Sequence, residues 1–160
     1  MELFNAFIIE NFILFLLCIV MYTNAFVHFH QHRRLSIYSI IITSCCLILA
    51  ISGFLEVLSK QVFKSIALTQ IFSILGYSLR PLCIYFFILM SGNIIKKKWF
   101  HLTYIPLIIN FLIYCLMFVP YVRDYVVSFH IGDSGNVVFG GGPLRYTSHV
   151  VSALYLAALI

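Results

Sequence analysis

Four long runs of apolar residues, almost free of charge, decide what this chain can fold into. They extend from about Phe7 to Phe29, Ile37 to Leu58, Ile66 to Met90 and Phe100 to Val119; a fifth opens near Tyr146 and is still apolar at Ile160. Each of the four matches the roughly 20 residues that a helix needs to cross a hydrocarbon core. Backbone polar groups inside lipid must be satisfied within their own segment, so helices are the expected form of every run. At 62% hydrophobic and 9% charged residues, the chain stands far from the roughly 45–50% and 25% of soluble domains. The expected fold class is therefore an all-α integral membrane helical bundle occupying residues 1–160, with the membrane lipid as its main partner. The first run is expected to be a retained span, because Glu2 and Glu10 stand where a signal peptide carries positive charge.

The polar punctuation sets an orientation. Arg33 and Arg34 follow the first run and Lys96, Lys97 and Lys98 follow the third, whereas the second loop holds only Lys60 and Lys64. Basic residues collect on the cytoplasmic side, so the N-terminus is expected outside and the net charge of +5 reads as a topology signal, with no nucleic-acid partner. The fifth run, Tyr146 to Ile160, would make about 22 Å of helix, short of a roughly 30 Å core. More chain is expected after Ile160.

The outer connection, Tyr121 to Arg145, is long for a compact bundle and is patterned. Val127, Phe129 and Ile131 alternate with Val126, Ser128 and His130, the turn formers Gly132 to Asn136 follow, and Val137 to Phe139 resume the apolar run. That pattern predicts a β-hairpin in the outer loop. Gly140 to Gly142 and Pro143 then form a hinge before the fifth run.

Arg80, midway along the third run, is the most informative single residue, because an intramembrane charge is costly unless it is paired or reaches water. On a helix it shares a face with Thr69, Ser73 and Gly76, and this stripe is expected to face the bundle interior. Pro81 removes an amide donor and leaves the Tyr77 carbonyl without its helical partner. Asn110 in the fourth run, at similar depth, and that carbonyl are the expected partners of Arg80. The arginine is read either as a structural tie or as part of a ligand or proton-linked site. Ser39, Thr43, Ala50 and Gly53 form a small-residue face on the second run that would let helices approach closely. Glu56 and Glu10, near the outer headgroups, complete the candidate polar residues, with Asn24 and His28 on the same face of the first run as Glu10.

Other chemistries find little footing. Cys18, Cys45, Cys46, Cys83 and Cys115 lie inside apolar runs without metal-site spacing and read as small packing residues. His28, His30 and His32 alternate, a poor arrangement for helical ligands, and His101 and His149 sit at opposite ends of the bundle, so neither a metal nor a haem is expected. No nucleophile elbow, zinc-protease motif or phosphate loop is present. The chain itself is expected to be no enzyme and to use no cofactor.

The segment Leu75-Gly76-Tyr77-Ser78-Leu79-Arg80-Pro81-Leu82, the lysine loop, the hairpin-like segment ending Gly142-Pro143-Leu144 and the following Tyr146 resemble the seven-helix N-terminal sensory domain of bacterial histidine kinases and diguanylate cyclases. The resemblance implies two further spans and a cytoplasmic output domain after residue 160, either a GGDEF cyclase or a histidine kinase. It implies a multi-pass sensor of the bacterial inner membrane, working as a homodimer and responding to a small-molecule or envelope stimulus. The alternatives from other classes are a small transporter component using Arg80 for an anionic substrate, and a plain membrane anchor.

Overall fold

The computed structural model describes residues 2–91, 103–133 and 135–157. Three long helices come first: α1 (Glu2–Val27), α2 (Arg33–Gln61) and α3 (Ile66–Ser91). They are long and apolar enough to cross a membrane. Helix α1 buries only Cys18 and Ala25 and turns residues such as Ile9 and Ile13 outward, at 75% and 72% exposure. A water-soluble domain does not present so continuous an apolar surface, and the three helices suggest a membrane protein. Against α2, helix α1 stacks Phe7 on Phe54 at 4.5 Å and pairs the Tyr22 hydroxyl with Ser44 Oγ at 2.8 Å.

Helices α2 and α3 form the tightest seam. Ser59 Oγ meets Thr69 Oγ1 at 2.8 Å near the loop that joins them, and Gly76 faces Ser52. Further along, the Cys83 thiol interacts with Cys45 and Cys46, all three unoxidised. The close approach runs through Cys45, Ser52 and Ser59. The small-residue face expected around Gly53 is displaced from it: Thr43 is buried, but Gly53 is exposed with no other side chain nearby. Hydroxyls that bond back to their own helix, as Ser52 does to the Leu49 carbonyl at 3.0 Å, pack as closely as glycine while keeping the side chain satisfied.

The fourth apolar run is shorter as a helix than its sequence suggests. Helix α4 spans Ile105–Cys115, opens with Pro106 in its first turn and continues as a 3₁₀ turn over Leu116–Phe118. Residues 92–102, which include the lysine loop and the expected start at Phe100, lie outside the described residues. After Pro120 comes the one-turn α5 (Arg123–Val126), then β1 (Val127–Ile131) and β2 (Val137–Gly141). A 3₁₀ turn, Pro143–Tyr146, leads into α6 (Thr147–Ala157); the last three residues lie outside the description.

The expected hairpin is present. Strands β1 and β2 pair antiparallel with Phe129 opposite Phe139 and Ile131 opposite Val137, and Gly135 supplies a positive φ of 73° in the turn. Proximity to the bundle, more than alternation, then decides what is buried. Val127, Phe129 and Val137 join Ile74 of α3, Tyr114 of α4, Met117 and Val126 in one apolar cluster, whereas Ile131 is 60% exposed. Lys60, at the end of α2, lies 5.6 Å from the Phe129 ring centre. Gly142 is buried where a side chain would strike the backbone of Asp124 and Tyr125, and its amide donates to the Val126 carbonyl at 3.2 Å. The hairpin is thus clamped at its base as well as packed on its face.

Candidate functional site

Pro81 organises the centre of the molecule. It lies buried inside α3, and its missing amide leaves the Tyr77 carbonyl open. Two donors fill that vacancy: Ser148 Oγ at 2.9 Å and Asn110 Nδ2 at 3.3 Å. Ser148 and Asn110 are 0% and 1% exposed. One carbonyl freed by a proline therefore ties α3, α4 and α6 together.

Tyrosines reinforce the junction. The rings of Tyr77 and Tyr114 stack at 4.7 Å with 5° between their planes. The Tyr114 hydroxyl donates to the Arg145 carbonyl at 2.7 Å and accepts the Ser148 amide at 3.4 Å. Arg145 in turn lies over the Tyr146 ring and bonds its hydroxyl. The connection between hairpin and α6 is thereby held by side chains of α3 and α4.

These contacts also set the depth of the connection. Gln70 Nε2 donates to the Met117 carbonyl at 3.3 Å, so the C-terminal end of α4 is level with Gln70. Tyr77, level with the start of α6, is seven residues further along α3, about 10 Å at 1.5 Å per residue. The turn Pro143–Tyr146 that precedes α6 is held against α4 by the Tyr114 hydroxyl on the Arg145 carbonyl.

Arg80 is not where its sequence stripe places it. Thr69 and Ser73 of that stripe are buried, at 0% and 1% exposure, but Arg80 is exposed. Its guanidinium carbon lies 5.1 Å from the Tyr77 ring centre, and it has no ion pair among the described residues. The expected tie to Asn110 is replaced: Asn110 uses its amide on the Tyr77 carbonyl, a partner that cannot move away, and the long arginine side chain turns outward. Glu56 is half-buried and bonds Lys60 at 2.5 Å. Glu10 is exposed on α1, and Asn24 and His28 are exposed further along that helix. Of the candidate residues, the structure brings together Tyr77, Asn110 and Arg80, with Glu56 close enough for its charge to act on the Tyr77 phenol. Glu10 stands apart.

Three buried polar atoms in the neighbourhood have no partner among the described residues, Ser73 Oγ, Ser78 Oγ and Asn110 Oδ1. Tyr114, Arg145 and Ser148 are contributors that sequence reasoning passed over. The demand of the Tyr77 carbonyl for a donor was visible; which donors would meet it depends on where α4 and α6 pack along α3. On the opposite flank of α3, an apolar groove of about 610 Å³ runs between α3 and α4, lined by residues such as Leu75, Leu79, Leu107 and Phe111. It contains no charged group. Comparison with protein families, with curated proteins and with solved structures finds no match for this chain.

Proposed function

We propose that the chain is the signal-input module of a multi-pass sensor in the bacterial inner membrane, with its N-terminus outside. It regulates a cytoplasmic output domain, a GGDEF diguanylate cyclase or a histidine kinase, within a homodimer. The observation that carries this reading is the continuity of the hairpin with the core. Val127, Phe129 and Val137 share one cluster with Ile74 and Tyr114, and Tyr114 stacks on Tyr77, whose carbonyl lies at the Pro81 break. A displacement of the hairpin must repack Tyr114 or Ile74, and both adjoin the point where α3 lacks an internal hydrogen bond. Close-packed interfaces convert small shifts into discrete rearrangements, and α3 leads toward the cytoplasmic side in this topology.

The test uses the full-length protein in native membrane vesicles. Cyclic dinucleotide formation from GTP and autophosphorylation from ATP are measured before and after a long Gly/Ser insert replaces the turn Gly132 to Asn136. The expected result is one of the two activities, with its level changed by the insert and protein abundance unchanged. Absence of both activities, or an output indifferent to the insert, refutes the proposal.

A further inference from the structure

Two opposite charges stand unpaired on helices long and apolar enough to cross a membrane. Arg80 of α3 and Glu10 of α1 are both exposed, and neither has an ion pair among the described residues. Ile9 and Ile13, beside Glu10 on α1, are 75% and 72% exposed, so the carboxylate stands among lipid-facing residues. A charge in such a place is costly until water or an opposite charge meets it.

Helix contacts set the two depths. Phe7 stacks on Phe54 of the antiparallel α2, so Glu10, three residues further along α1, is level with Ile51 and Ser52. Ser52 Oγ lies 3.9 Å from where a side chain on Gly76 would begin, which carries the level across to α3. Glu10 is therefore about 15 Å inside the start of α3 at Ile66, deeper than its place near the N-terminus suggests. Arg80 is four residues beyond Gly76, about 6 Å, a step that its long side chain spans.

The same contacts set direction. Each residue turns about 100° around a helix; Ser52 faces α3 and Phe54 faces α1, so α1 and α3 flank α2 on nearly opposite sides. Glu10 is turned about 60° one way from Phe7, and Arg80 about 40° the other way from Gly76. Because α1 and α3 run in the same direction, those opposite turns bring both charges to one side of the three-helix layer. Gly53, about 100° from both Ser52 and Phe54, opens on that side between them, with nothing within 4 Å. Helices pack about 8–10 Å apart, so α2 holds the two charges of one chain too far apart to meet.

A face built this way is complementary to itself. A two-fold axis along the membrane normal, beside α2, sets α1 of one copy opposite α3 of the other, and each Glu10 then meets an Arg80 at a matching depth. A lipid chain brings neither charge; a second copy brings both, and the guanidinium fork suits a carboxylate. We propose that this face of α1, α2 and α3 is the contact between two copies of the chain, closed by two Glu10–Arg80 ion pairs. It rests on the homodimer of the sensor reading and names its interface.

The test uses the full-length protein in native membrane vesicles, in a cysteine-free background carrying Gly53→Cys, a position with room for the side chain. Oxidation with copper phenanthroline should give a disulfide-linked dimer on a non-reducing gel. Glu10→Arg or Arg80→Glu should each lower the yield about tenfold or more, and the two together, which restore opposite charges in exchanged places, should recover it. Arg80→Gln, which removes the charge without reversing it, should also lower the yield and serves if a reversal does not insert. Absence of the linked dimer, or a double variant no better than the single ones, overturns the interface. Energy transfer between labelled copies in the same vesicles separates the two readings. Transfer without linkage at residue 53 means a dimer through another face, which sinks this interface and spares the sensor. Linkage with charge-swap recovery, but with neither cyclase nor kinase output, would instead overturn the sensor reading and leave the interface standing.

Discussion

The Tyr77 carbonyl offers a clean energetic test. It accepts from Ser148 Oγ at 2.9 Å and from Asn110 Nδ2 at 3.3 Å, because residue 81 has no N–H to give. Ser148→Ala deletes the shorter bond at a fully buried position and spares the Ser148 amide, which bonds the Tyr114 hydroxyl. Interhelical side-chain hydrogen bonds in membrane proteins are worth about 0.6 kcal/mol on average and up to about 1.7. A short, buried bond to a carbonyl with no helical partner belongs in the upper half of that span, so a loss of about 1–1.7 kcal/mol is expected. Pro81→Ala changes the arithmetic, since an alanine amide at position 81 can return to the Tyr77 carbonyl as an ordinary helical bond. In that background Ser148→Ala should cost less than about 0.5 kcal/mol, within the error of additivity. Whatever Pro81→Ala does alone cancels from the cycle. The assay is reversible unfolding of all four proteins in mixed micelles as the denaturing detergent is raised, followed by circular dichroism. Equal costs for Ser148→Ala in both backgrounds would show that the carbonyl is not what Ser148 serves.

Two glycines on the chain should respond oppositely to alanine. Gly142→Ala places a methyl 2.2 Å from the Tyr125 backbone, where nothing flexible can yield, and should destabilise by about 1–3 kcal/mol and open the hairpin to thermolysin. Gly53→Ala meets nothing within 4 Å and should be neutral or stabilising by up to about 1 kcal/mol; a fall in melting temperature would contradict that placement. For topology, single cysteines at Asp133 and His30 in a cysteine-free background should react with an impermeant maleimide from outside and only after lysis, respectively, and the reverse pattern refutes the orientation.

Much of the architecture was legible because its signals are local. Hydrophobic runs report helix-forming, lipid-facing segments through length and polarity alone, and the first three became α1, α2 and α3 with boundaries close to those read. The hairpin was legible for the same reason: alternation in Val127 to Ile131 and the glycine-rich turn are short-range features, and Gly135 adopts the conformation that turn requires. Seams between helices were less so. Thr43 and Gly53 looked like one small face, yet contact runs through Ser52 and Ser59, since crossing helices select which small residues meet and the sequence period alone does not contain the crossing.

The site was misread in an instructive way. Counting from Ile66 puts Arg80 about 21 Å along α3, and that count treats the bundle mouth as a flat surface at the helix end. The start of α6 breaks the assumption by reaching the level of Tyr77 through Ser148, with the preceding turn held by the Tyr114 hydroxyl on the Arg145 carbonyl. Asn110 was expected to meet Arg80, but it donates to the Tyr77 carbonyl, because a backbone acceptor orphaned by proline is fixed in place and an arginine is not. A cation entering here would find only the open acceptors Ser73 Oγ, Ser78 Oγ and Asn110 Oδ1, and desolvating it would cost more than hydrogen bonds to such neutral groups return. The same proline that creates the vacancy therefore settles two placements at once: it draws Asn110 and Ser148 inward, and by letting them close the junction it leaves Arg80 exposed on α3, over the Tyr77 ring.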